Sequence, residues 1–206
     1  EGTPGADDNA SGVAAALALA RAFATRTPER TVRFVFFVNE EPPWFEGEHM
    51  GSEVYAAECR ARGDDVVAMF ALETLAFFSD APGSQQYPFP FSLFYPSTGS
   101  FVGFVADLGS QRLVHEAVRR FREAATVPSE GASVPGDIEG IDWSDHAPFW
   151  RHGYRAVMVT DTAPFRNPHY HEPTDLPPTL DAERLARTVQ GLDVVVAGLA
   201  ASAERW

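Results

Sequence analysis

The 206-residue chain contains no lysine, so every basic side chain other than histidine is an arginine. Its lone cysteine, Cys59, rules out an internal disulfide framework and leaves the compartment open. Positive charge is scarce: 16 basic against 29 acidic residues give a formal charge of -13. Recognition of a phosphate backbone depends on clustered Lys and Arg, so no nucleic-acid partner is expected. No apolar run reaches the ~18 residues that would cross a bilayer, and no charged-then-apolar leader precedes the first helix. An initiator methionine is also missing. The opening Glu1-Gly2-Thr3-Pro4-Gly5 has the composition of a loop, and the true beginning of the protein is expected upstream.

What remains is enough for one domain over residues 1–206, since 45% hydrophobic content can fill a core of ordinary size. Thr31 to Asn39 is rich in β-branched and aromatic residues without Gly or Pro, which predicts a buried strand. Glu40 and Glu41 stand at its carboxyl end, where ligands gather in open α/β sheets. Asp65 to Glu73 repeats the arrangement, an apolar strand closed by a carboxylate. Ala156 to Thr160 reads as a third strand, followed by the Pro-punctuated loop Asn167 to Asp175, which carries His169 and His171.

Helices are expected after Asp7-Asp8-Asn9-Ala10-Ser11-Gly12, from Gly51 or Ser52 through about Arg62, over Ser110 to Ala125, briefly within Asp142 to Trp150, and from Asp181 to about Arg205. Asp7, Asp8, Asn9 and Ser11 all suit helix caps, and the dipole of that helix would equally favour a ligand carboxylate. The alternation of strands and helices predicts a doubly wound, mixed, mostly parallel sheet with helices on both faces, a three-layer α/β/α fold. Ser79 to Ser100 is a long loop rich in Pro, Gly and aromatics, read as functional rather than as a linker. Its Tyr87 to Tyr95 stretch and the Trp44-Phe45 loop are the expected walls of an apolar pocket for a substrate's terminal side chain.

The strand-end and loop residues form the set Asp8, Glu40, Glu41, Glu73, Asp145, His146, His169 and His171. Rich in oxygen and imidazole and free of thiolate, it suits catalytic zinc or another divalent first-row ion. Two adjacent glutamates allow one to bind metal while the other accepts a proton. Glu48 and His49 lack the spacing of helical His-Glu zinc motifs and are read as loop residues; His169 is read as exposed.

The order Gly5-Ala-Asp-Asp-Asn-Ala-Ser-Gly12, Asn39-Glu40-Glu41, Leu72-Glu73, Ser144-Asp145-His146 and Tyr170-His171 with Asp175 resembles the co-catalytic zinc aminopeptidases, across nearly the whole chain. The resemblance implies that Asp8 bridges two zinc ions, that Glu40 is the general base toward a metal-activated water, that Glu41 and His171 complete the first zinc, and that Glu73 binds the second. It implies a peptide substrate cut at its N-terminal bond, with Tyr170 steadying the tetrahedral intermediate and Asp145 and His146 orienting the site. It also points to an extracytoplasmic or secreted setting, and does not fix the oligomeric state. In this family a further His, from a His-x-Asp segment before the Gly-Ala-Asp-Asp loop, serves the second zinc. That segment is not in this sequence, so the first site is expected intact, the second incomplete, and the sheet edge unprotected. Glutaminyl cyclase, which carries Glu where Glu73 stands, and a metal-free binding or receptor domain are the alternatives on the same scaffold.

Overall fold

In the computed structural model, which describes residues 2–206, four strands form one sheet in the order β1-β4-β2-β3. They are β1 (Met69–Glu73), β2 (Val102–Asp107), β3 (Ser129–Val134) and β4 (Ala156–Thr160). The pairs β1·β4 and β2·β3 are parallel, and β2·β4 in the centre is antiparallel. The sheet is thus mixed and mostly parallel, as the alternation of elements predicts.

Five helices cover it: α1 (Gly12–Phe23), α2 (Gly51–Arg62), α3 (Gln111–Ala124), α4 (His146–Arg151) and α5 (Ala182–Ala200). Alternate residues of a strand face opposite layers. Phe104, Val157 and Val159 accordingly join Leu19, Leu113, Phe121, Leu192 and Val195 in the larger core, under α1, α3 and α5. Ala156 and Met69 face the other way, toward Ala56, Cys59 and Phe149 of α2 and α4. On α5 the buried stripe runs through Leu192, Val195 and Leu199.

The expected strand Thr31 to Asn39 is not part of the sheet. It runs beside β1, separated from it by a cavity of about 480 Å³, and makes no ladder with it. Its side chains still divide between the two layers: Phe34 packs on Phe23 in the larger core, and Phe37 packs between Tyr55 and Phe149 in the smaller one. Val35, Phe36 and Val38 are exposed. The outer edge of β1 therefore has no strand partner among the described residues. The second expected strand is real but shorter, beginning at Met69 rather than Asp65.

Candidate metal centre and active site

The site forms at the carboxyl end of β1, where four segments meet. The first is the kinked turn Ala6–Ser11 before α1, in which Asp8 and Asn9 leave helical geometry. Of the four residues suited to capping, Asn9 comes nearest to that role, its Oδ1 accepting from the Gly12 N–H at 3.2 Å. Its amide also donates to the Leu72 carbonyl at 2.8 Å, and Oδ1 accepts from Thr74 N at 3.1 Å. Asp7 accepts from Ala76 N and from the Asn167 amide, and Ser11 Oγ from Leu75 N. The turn is thereby stitched to the chain leaving β1. A Cβ on Gly12 would lie 2.2 Å from the Leu72 carbonyl, so only glycine permits this approach.

Asp8 is left to point into the site. Its own N–H and that of Asp7 are held by Asp175 Oδ2 and Oδ1 at 3.1 and 2.9 Å. Asp8 Oδ2 lies 3.0 Å from His171 Nε2, which is also 3.8 Å from Glu41 Oε1. Donor atoms of Asp8, Glu41 and His171 all fall within 4.8 Å of one another. His171 sits in the left-handed backbone region, φ 59°, with its ring stacked on Tyr170 at 3.9 Å.

Behind this trio lie Glu40, Glu73 and Asp145. Burial, and then the negative charges of Asp145, Glu41 and Asp8, push Glu40 up to about 8. Burial, followed by the charge of Glu40, holds Glu73 well above the carboxylate range, although Ser144 Oγ donates to it at 2.7 Å. Burial raises Asp145 to about 6. It does the same for Asp8, with help from Glu41 and against the pull of His171. The Tyr170 hydroxyl is pushed far up by burial and by the charges of Asp8, Glu73, Glu41 and Glu40, and so keeps its proton.

No arginine is among the groups that perturb these acids. Concentrated negative charge in a donor set of oxygen and imidazole is the environment of a divalent cation, and the Asp8, Glu41 and His171 atoms fit one. Glu73 is not within that donor cluster; near a second ion beside Asp8 it would be the only other carboxylate donor assigned from the sequence.

Other expected residues lie elsewhere. His146 is fully buried, its Nε2 2.7 Å from the Ile141 carbonyl and its ring edge-on to Trp150 at 4.5 Å, which makes it a packing residue of α4. Burial lowers it to about 4. His169 bonds Thr174 Oγ1 through Nδ1 and rests on Phe77. Glu48 and His49 form an exposed pair at 3.7 Å in the loop. Trp44 packs on His49 at the surface, and neither Trp44 nor Phe45 lines the cleft beside Glu73 and Tyr170. Tyr87, Phe91 and Tyr95 wall a cleft of about 110 Å³ that opens beside Glu73 and Tyr170. Sequence reasoning missed Asp161, buried just past β4, whose Oδ2 accepts from Phe77 N. The rule of a carboxylate at a strand end would have found it.

A family model described as peptidase family M28 matches residues 1–195. The chain is 42% identical over 194 residues to a protein of Escherichia coli K12 described as uncharacterized protein YfbL, covering 92% of this chain and 58% of that one. It is 27% identical over 189 residues to a probable leucine aminopeptidase of Arthroderma benhamiae, covering 88% of this chain and 44% of the relative. Among solved structures it resembles BSAP, a zinc aminopeptidase from Bacillus subtilis, with a TM-score of 0.70 at 22% identity, over 96% of this chain and 42% of that one. The chain thus spans about half the length of the proteins it matches.

Proposed function

The chain belongs to peptidase family M28, and on that premise we propose that it is the catalytic region of a zinc-dependent aminopeptidase, hydrolysing the N-terminal bond of a peptide. The observation that carries the reading is the convergence of Asp8, Glu41 and His171, from three separate segments, on donor atoms within 4.8 Å beside the half-buried Glu40. Those three would hold a zinc ion, which when bound supplies a Lewis acid that activates water and polarises the scissile carbonyl.

The remaining work falls to the chain itself. Glu40 is the proton carrier: its carboxylate accepts a proton from the attacking water and returns it to the leaving amine. Glu40 neighbours both Glu41 and Asp8, which puts it beside the water that such an ion would hold. Tyr170, held protonated, is the hydrogen-bond donor for the developing oxyanion. Asp175 acts through Asp8, fixing the two N–H groups that aim it. Ser144 holds the Glu73 carboxyl in place.

Glu40→Gln is expected to abolish turnover of aminoacyl anilides while zinc binding survives; persistent turnover would sink the assignment of Glu40. An N-terminal glutaminyl peptide assayed in parallel separates the peptidase from a glutaminyl cyclase, the reading that Glu73 favours. One tight zinc is expected from a titration of this chain, because Asp8 and Glu73 alone would serve a second. Two equally tight ions would contradict that.

A further inference from the structure

The cleft beside Glu73 and Tyr170 has a floor whose order the sheet register fixes. Glu73 of β1 pairs with Thr160 of β4, Thr160 with Gly103 of β2, and Gly103 with Glu130 of β3. Cross-strand partners share a face, so these four form one row across the whole sheet on the side of α2 and α4. Gly131, the next residue of β3, faces the opposite layer, where a Cβ would meet Val114 and Val118 of α3. Glu130 thus faces the cleft, and it is among the residues that line it. The row begins with a carboxylate at the candidate active site and ends with another three strand spacings away, roughly 14 Å. Between them stand a threonine and a glycine, which leave the floor low.

Aromatic and apolar side chains make the walls: Tyr87, Phe91, Tyr95, Trp143, Phe165 and Met158. Both tyrosine hydroxyls give their protons to carbonyls, Tyr95 to Gly131 at 3.0 Å and Tyr87 to Pro96 at 2.7 Å. Their oxygens keep only acceptor capacity. Glu130 lies close enough to both to raise their affinity for protons. Glu139 adds a further carboxylate to the lining, and no basic residue lines the cleft. Arg122, an exposed side chain of α3, reaches Glu130 only to 3.7 Å, and the buried Arg166 lies behind the cleft wall on the Phe101 ring, 4.6 Å from its centre. An apolar slot that runs from the reacting end to an under-neutralised carboxylate suits an extended aliphatic stem with a positive tip, whose charge the aromatic faces also favour.

We propose that this cleft receives the side chain of the substrate's first residue and that Glu130 selects one with an aliphatic stem ending in a cation, of the lysine or arginine type, over an apolar side chain of equal length. The inference rests on the aminopeptidase reading for what enters the cleft, and its test is chosen to stand apart from that reading. L-lysinamide and L-norleucinamide differ by the terminal ammonium alone, and their affinities for the wild-type chain, for Glu130→Gln and for Arg122→Gln are measured by calorimetry. A site built around a polar group discriminates strongly against a ligand lacking the counterpart, so lysinamide is expected to bind at least about tenfold more tightly than norleucinamide. The ratio should fall toward one in Glu130→Gln and rise in Arg122→Gln, which frees the carboxylate. Equal affinities in the wild type, tighter norleucinamide, or a ratio untouched by Glu130→Gln would overturn the proposal. Lysyl and norleucyl anilides then test the chemistry separately. A chain that prefers lysinamide but cleaves neither anilide keeps the cleft assignment and loses the peptidase reading.

Discussion

Replacing Asp175 should reveal how much of the site is held by one buried carboxylate. Asp175 is fully buried and accepts from Asp7 N at 2.9 and 3.2 Å and from Asp8 N at 3.1 Å. Hydrogen bonds to a charged acceptor contribute about 1.5–3 kcal/mol each, and a buried N–H left without a partner costs about 1–3 kcal/mol. Two such N–H groups would be stranded in Asp175→Ala. Against this, Asp175 repels Asp7 and Asp8, and removing its charge relieves both. The net expectation is a loss of about 2–4 kcal/mol for Asp175→Ala and about 1 kcal/mol for Asp175→Asn, which keeps one acceptor. Urea unfolding followed by tryptophan fluorescence measures the loss. Because the same bonds aim Asp8, zinc affinity should fall with stability, and further in the alanine variant than in the asparagine one. If Asp175→Ala unfolds within about 0.5 kcal/mol of the wild type and binds zinc equally well, the reasoning fails; shifts that small are what substitutions away from such features give.

Gly12→Ala should cost about 3 kcal/mol, the upper end of overpacking, because its Cβ would meet the Leu72 carbonyl at 2.2 Å and Asn9 Oδ1 at 2.4 Å; a thermal melt within a degree of wild type would contradict this. His146 offers a pH test whose sign is set by burial. Its folded value is about 4 against an ordinary 6.5, so the fold favours the neutral ring. The stability it contributes is present in full above pH 6.5 and is lost as pH falls from there through 4. Relative to His146→Phe, the wild type should lose about 3 kcal/mol between pH 7 and pH 4, and parallel stability profiles for the two proteins would refute the assignment.

Much of the site was legible because its chemistry is local. Carboxylates at the ends of apolar segments and a histidine-bearing loop can be read one segment at a time, and Asp8, Glu41 and His171 do meet. The supports were not legible in the same way. Asp175 acts on residues more than 160 positions away, and nothing in its local sequence says that its oxygens will find the N–H groups of Asp7 and Asp8. Strand propensity misled in both directions. The most strand-like stretch of the chain, Thr31 to Asn39, makes no ladder, because propensity reports side chains that suit a pleated surface and says nothing of whether a partner lies in register. β2 and β3, by contrast, contain Gly103, Gly131, Ser129, Glu130 and Ser133, a composition that hides them, yet they build the row that ends at Glu130. His146, beside a carboxylate in a site motif, packs edge-on to Trp150 and meets the Ile141 carbonyl, contacts that its local sequence does not reveal.

Zinc-edge anomalous diffraction from crystals of the chain grown with zinc tests directly whether Asp8, Glu41 and His171 hold one catalytic metal next to Glu40. A strong peak is expected, bonded to a carboxylate oxygen of Asp8, a carboxylate oxygen of Glu41 and His171 Nε2, at about 2.0–2.2 Å from each, with any second peak beside Glu73 weaker. A zinc bound elsewhere, or none at these three residues, would contradict it.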